Sequence, residues 1–190
     1  MKRASICTVV LVSLLALSGL SLAEDQPQSG ENAMPEMGSP KEMKQVEHLV
    51  GTWDVTGKYQ MDPTQDWQEF TGSCEFTMKL GGSALMMNFT SEMMGMPYQG
   101  MGIQCYDRES KEWQNLWVDN TGGRMSLFTG NMEGDKMVMS GTEKWQGKSY
   151  PARVTTYNMK DDSFDWKYEA SMDGGKSYTT SMEMHYVKKK

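Results

Sequence analysis

Few side chains in this 190-residue chain could do chemistry, and they are far apart. There are two histidines, His48 and His185. No Ser-His-Asp or Cys-His arrangement can be assembled around either. His48 lies three residues before Gly51, a natural helix stop, where a cation interacts well with the helix dipole. His185 falls on the predicted outer face of the last strand. Asp107 and Asp119 each follow an aromatic strand and are the one carboxylate pair that could serve acid–base chemistry, provided both stand at a barrel mouth. The competing role is structural, because aspartates at strand ends commonly hold turns by accepting backbone hydrogen bonds.

Methionine is the compositional anomaly, at 20 residues. Met86-Met87, Met93-Met94-Met96, Met137/Met139 and Met182/Met184 could offer soft thioethers to Cu(I), with the Met93–Pro97 loop as the best address. Alternatively, methionine replaces leucine and isoleucine as adaptable apolar filling, and its i, i+2 spacing puts it on one strand face beside aromatics. Gly100-x-Gly102 is not a dinucleotide loop, since it lacks the third glycine and a following helix. Two glycines within a strand mark a bend or a close approach by a bulky neighbour, and Trp113 or Trp117 on the next strand could supply one. No metal-ligand set and no cofactor motif emerges.

These residues must be placed by a chain that opens with an export-type segment. Lys2 and Arg3 precede the apolar run Ile6–Leu20, and Ser21-Leu22-Ala23 provides small residues for cleavage, so residues 1–23 read as a signal peptide. The expected destination is secreted or periplasmic. Residues 24–38 are rich in Glu, Gln, Pro, Ser and Gly and read as a disordered leader. Removing the first 23 residues takes away two cations and changes the formal charge from −6 to −8. Such a chain should repel nucleic acid and anionic membrane surfaces, and no stable membrane insertion is expected after cleavage. The oligomeric state is open.

Residues 39–190 read as one domain. Ser39, Pro40 and Glu42 have capping-box spacing for a short helix, whose stripe is Met43, Val46, Leu49 and Val50. From Trp53 the period changes to two. Phe70, Gly72, Cys74, Phe76, Met78 and Leu80 share one face, and Gly81-Gly82 is a two-residue hairpin signal. Ten strands follow one another through short turns, which favours an antiparallel meander closed on itself. The fold class is therefore all-β, a roughly ten-stranded up-and-down barrel with one short N-terminal helix. An open sandwich is the alternative. Cys74 and Cys105 would sit at opposite ends of non-neighbouring strands, beyond disulfide reach, and are expected as free, buried thiols.

Leu49–Trp53 (Leu-Val-Gly-x-Trp), Leu80-Gly81-Gly82, Gly100–Asp107 and Trp117-Val118-Asp119, in that order, resemble a bacterial domain-of-unknown-function family with a lipocalin-like (calycin) barrel. Cys105 stands where that family more usually has glycine. The resemblance implies the fold and assigns no activity. It also implies that Trp53 closes one end of the barrel, with the helix nearby and the last strand bonded to the first; Lys188 is then the candidate cation over its indole.

With that phase, Phe70, Phe76, Phe89, Trp113, Trp117, Phe164, Trp166, Tyr168, Tyr178 and Tyr186 converge on the interior. The expected function is non-catalytic binding of a small hydrophobic molecule, with Phe76, Met87, Phe89, Trp113, Trp117, Trp166, Tyr168, Met182 and Tyr186 as lining. A solid barrel without a ligand, a Cu(I) protein and an enzyme using Asp107 and Asp119 remain the alternatives.

Overall fold

The computed structural model describes residues 36–190. The signal-peptide reading of residues 1–23 and most of the leader lie outside the described residues. Within them, ten strands form a closed antiparallel barrel in sequence order: β1 (Gly51–Tyr59), β2 (Gln68–Lys79), β3 (Ala84–Met93), β4 (Met96–Asp107), β5 (Glu112–Asp119), β6 (Ser126–Glu133), β7 (Lys136–Trp145), β8 (Lys148–Tyr157), β9 (Ser163–Ala170) and β10 (Thr179–Lys188). β1 pairs with both β2 and β10, so no edge is left open. The sandwich alternative is thereby removed. Among the described residues, no helix is long and apolar enough to cross a membrane.

The N-terminal helix, Lys41–Leu49, is a 3₁₀ helix. Its buried residues Met43, Val46 and Leu49 recur every third position, and three residues per turn stack them in one line. Four-residue spacing would have needed Val50 in the stripe, but Val50 is exposed. The capping box does not form either. Pro40 is the N-cap without a side-chain bond, and the Ser39 hydroxyl instead donates to the Gly82 carbonyl at 2.7 Å. The Gly81-Gly82 signal also resolves differently. Leu80–Gly82 makes a short 3₁₀ turn, with the Ser83 amide bonded to the Leu80 carbonyl at 3.2 Å. Leu80 takes a positive φ of 52°, which turns its side chain out of the apolar face and into solvent.

Trp53 anchors the helix end of the barrel. It is fully buried, its indole N–H donates to the Leu49 carbonyl at 2.7 Å, and Lys188 lies opposite it on β10. The Lys188 ammonium stands 5.4 Å from the indole centroid while donating to the His48 carbonyl at 2.7 Å. One cation therefore ties the last strand to the helix and to the first strand.

The interior is asymmetric. Around Trp53, where β1 meets β2 and β10 near the helix, it is packed with rings. Phe164 stacks on Tyr186 at 4.3 Å and meets Trp53 edge-on at 5.0 Å, while Phe76 fills the gap between Trp53 and Tyr186. Cys74 is buried among them, but Cys105 alternates outward on β4 and is only partly buried, so only the first thiol matches the buried expectation. Both thiols are free, as expected. Tyr178 also departs from the interior set. It lies in the loop after β9, with the Arg153 guanidinium 4.4 Å from its ring centroid.

Candidate functional site

Beyond the rings packed around Trp53, the barrel holds a chamber of about 1080 Å³. The alternative of a wholly filled barrel does not survive that volume, which reaches the upper range of small-molecule pockets. Val46 and Leu49 of the helix line one end, and Met61, Trp145 and Met172 line the other. Those last three are also exposed to solvent, so the apolar lining continues onto the rim.

Strand parity puts the walls in place. Trp117 and Asn115 on β5, Phe128 on β6, Met137 and Met139 on β7, Val154 on β8, Trp166 and Tyr168 on β9, and Met182 and Met184 on β10 all face inward. Of the nine residues nominated from sequence, Phe76, Met87, Phe89, Trp117, Trp166, Tyr168, Met182 and Tyr186 line the chamber. Trp113 does not. It is 2 % exposed and packs edge-on to Tyr106 at 5.5 Å, in the filled region beyond the chamber wall. Its inward phase is right, but its position near the helix-side end of β5 puts it in packed core.

Trp117 is held with little freedom. A Cβ on Gly100 would come within 2.1 Å of Trp117 Cζ2, and one on Gly102 within 3.3 Å of Cε3. The two glycines flatten the β4 wall so that the indole can lie against it, the close approach read from Gly100-x-Gly102. The indole N–H donates to Asp119 Oδ2 at 3.1 Å, and the Tyr98 hydroxyl donates to the same oxygen at 3.1 Å. Asp119 Oδ1 accepts from the Thr121 amide, the Thr121 hydroxyl and the Gly122 amide. Burial pushes the Asp119 carboxyl up, but the Thr121 and Gly122 donors and the Trp117 indole outweigh it and hold the group below its ordinary value. Burial first, and then the Asp119 charge, push the Tyr98 phenol well above its ordinary value. Tyr98 therefore remains a proton donor to a permanent carboxylate.

This geometry dissolves the carboxylate pair. Asp119 is opposite Gly100 on β4, and Asp107 is seven residues further along that strand, opposite Glu112. At a strand rise of about 3.3 Å per residue they are roughly 23 Å apart, at opposite ends of the barrel. Asp107 is spent on its own turn, accepting from the Glu109 amide and the Ser110 hydroxyl. His185 faces outward as expected and contacts Asp165 at 2.6 Å.

The methionines do not gather at one point. Among the described residues ten line the chamber, from Met87 on β3 through Met137 and Met139 on β7 to Met182 and Met184 on β10. In the Met93–Pro97 loop, Met93 is a buried wall residue while Met94 and Met96 are exposed. Thioethers distributed around the whole circumference form a soft, deformable lining more readily than a single coordination sphere.

The polar part of the wall escaped the sequence reading. Glu143 on β7 is 6 % exposed and lines the chamber. Arg124, from the loop before β6, donates to Glu143 Oε2 at 2.6 Å and to the Lys144 carbonyl at 2.7 Å. Tyr150 is opposite Glu143 in register, and the Tyr168 hydroxyl donates to the Tyr150 oxygen at 3.4 Å. Burial, followed by this bond to Tyr150, pushes the Tyr168 phenol well above its ordinary value. A signal did exist: Glu143 is in phase with Met137 and Met139, so a carboxylate occupies an inward position.

The family described as "Protein of unknown function (DUF1579)" matches residues 39–188, nearly the whole described barrel. No curated protein matches the sequence significantly. Among solved structures, Rv2717c from M. tuberculosis is similar at 12 % identity and a TM-score of 0.57, over 80 % of this chain and 99 % of that one. The S-type phycobiliprotein lyase CPES from Guillardia theta is similar at 11 % identity and a TM-score of 0.54, over 77 % and 92 %. At such identities the likeness establishes a shared barrel fold and nothing of activity.

Proposed function

The chain belongs to the DUF1579 family, and we propose that it is an exported, non-catalytic protein that holds a small hydrophobic molecule in its barrel. The observation that carries this reading is the chamber of about 1080 Å³ with aromatic and methionine walls. An apolar space of that size left unfilled by side chains forfeits contacts they could have made. Larger residues at the inward positions would have filled it, as the rings packed around Trp53 do near the helix. A bound apolar molecule restores the lost contacts and removes its own surface from water.

Phe76, Met87, Phe89, Trp117, Trp166, Tyr168, Met182 and Tyr186 are the proposed contact residues. Thioether and aromatic walls accept irregular shapes because methionine repacks at low cost. Admission is through the rim at Met61, Trp145 and Met172, where the lining meets solvent. Export is supported by the charge and hydropathy pattern of residues 1–23. Native mass spectrometry of the protein purified from its own source tests the reading. A folded species heavier than the polypeptide by one discrete, organic-extractable mass is expected. A homogeneous unliganded protein that no apolar compound stabilises against heat would overturn it.

A further inference from the structure

Resting on that reading, we propose that the molecule is neutral and carries a hydroxyl group, which docks between Glu143 and Tyr150 while its apolar body occupies the chamber. Glu143 Oε2 is taken by Arg124, but Glu143 Oε1 has no hydrogen bond among the described residues. That oxygen is not sealed in protein either, because among them Thr77 Oγ1 is the one buried side-chain N or O atom without a partner. Since Glu143 lines the chamber and is otherwise buried, the open surface of Oε1 belongs to the chamber. A carboxylate oxygen in that position accepts a hydrogen bond from a ligand and repels a ligand anion.

The neighbouring groups complete the head-group site. Tyr168 donates to the Tyr150 oxygen, which leaves the Tyr150 proton free to point elsewhere. Because Tyr150 is opposite Glu143 in register, its hydroxyl is the neighbouring donor for a ligand hydroxyl that donates to Glu143 Oε1. Asp119 cannot compete, because five donors already occupy its two oxygens. The charged residues lining the chamber also disfavour an acid. Among the described residues, Arg124 and Lys160 line the chamber together with Asp119, Glu143 and Asp161, an excess of one negative charge, and at the Glu143 end Arg124 alone stands against Asp119 and Glu143. Arg124 gives an incoming anion little net attraction, since its charge is already paired with the Glu143 carboxylate and its other contact is to the Lys144 carbonyl.

Three probes of one shape separate the possibilities: 2-naphthol has a hydroxyl, 2-methoxynaphthalene lacks the proton, and 2-naphthoate is an anion. Titration of the full barrel by tryptophan fluorescence should give 2-naphthol an affinity at least roughly tenfold above the other two, the expected effect of one hydrogen bond to a charged acceptor. In Glu143→Gln that preference should shrink severalfold, and 2-naphthoate should gain affinity because Arg124 loses its counter-charge. Equal binding of 2-naphthol and 2-methoxynaphthalene by the wild-type protein, or tightest binding of 2-naphthoate, overturns the assignment while leaving an apolar binding chamber in place. Failure of all three probes overturns the chamber reading and this inference with it. The wild-type comparison decides the matter even if Glu143→Gln does not fold.

Discussion

Replacing Gly100 by alanine tests the chamber wall at its tightest point. The new Cβ would be 2.1 Å from Trp117 Cζ2, 2.5 Å from Cη2 and 2.9 Å from Cε2, distances that no Cβ sustains. The indole must therefore move, and its N–H must leave Asp119 Oδ2, now 3.1 Å away. Overpacking of this kind costs about 1–3 kcal/mol. Losing a hydrogen bond to a charged acceptor adds about 1.5–3 kcal/mol when it is fully lost. Partial relaxation makes a total of roughly 2–4 kcal/mol reasonable, a fall in Tm of about 4–16 °C for a domain of this size. Gly102→Ala is the internal control. Its Cβ would meet mainly the Met87 methyl at 2.8 Å, the free end of a flexible side chain, and should cost about 1 kcal/mol. Thermal unfolding followed by circular dichroism measures both variants. Because Trp117 lines the chamber, Gly100→Ala should also weaken an apolar probe severalfold. Equal Tm values for Gly100→Ala and wild type would refute the placement of Trp117 against β4.

Four further outcomes follow from the same structure. Trp53→Ala removes a fully buried ring together with its bond to Leu49, and should lower unfolding free energy by about 3–5 kcal/mol in denaturant titration. Arg124→Ala leaves the Glu143 carboxylate without its partner; because Arg124 is 45 % exposed, the cost should be about 1–2 kcal/mol, below the value for a wholly buried pair, again read by denaturant titration. The Asp119 carboxyl is lowered in the fold, so it contributes stability above its unfolded value of 3.8 and that contribution is lost as pH falls through and below it. Asp119→Asn should accordingly lower Tm at pH 7 and flatten the decline between pH 5 and 3. Maleimide labelling with peptide mapping should modify Cys105 well before Cys74, whose thiol is buried and pushed far above its ordinary value by that burial.

Much of this architecture was legible because a period of two leaves little freedom once one face is buried. Phe76, Phe89, Phe164 and Tyr186 fell inward on parity alone, Trp53 was placed by the family resemblance, and Gly100-x-Gly102 correctly announced a bulky neighbour. What parity cannot give is depth along the barrel. Trp113 shares its phase with Trp117, yet four residues along β5 separate packed core from open chamber. The Asp107–Asp119 pair failed for a reason the meander itself contains: successive antiparallel strands finish at opposite ends, so residues closing β4 and β5 cannot share a mouth. The helix type was hidden because Ser39-Pro40-x-Glu42 fits a capping box, while the Gly82 carbonyl that captures Ser39 is 43 residues away. Glu143 was overlooked because a charged residue in a strand is ordinarily assigned to the solvent face; its phase with Met137 and Met139 was the contrary sign.

If the chamber is a binding site and not a packing defect, filling it must weaken binding without unfolding the barrel. Ala170 lines the chamber on β9, so Ala170→Phe adds a ring to its interior. Titration of wild type and variant with N-phenyl-1-naphthylamine, a neutral apolar fluorophore, should show saturable binding at one site per wild-type chain. The variant should bind roughly tenfold or more weakly, with an unchanged far-ultraviolet circular dichroism spectrum. Equal probe binding by wild type and Ala170→Phe, or no saturable binding by wild type, would contradict the account.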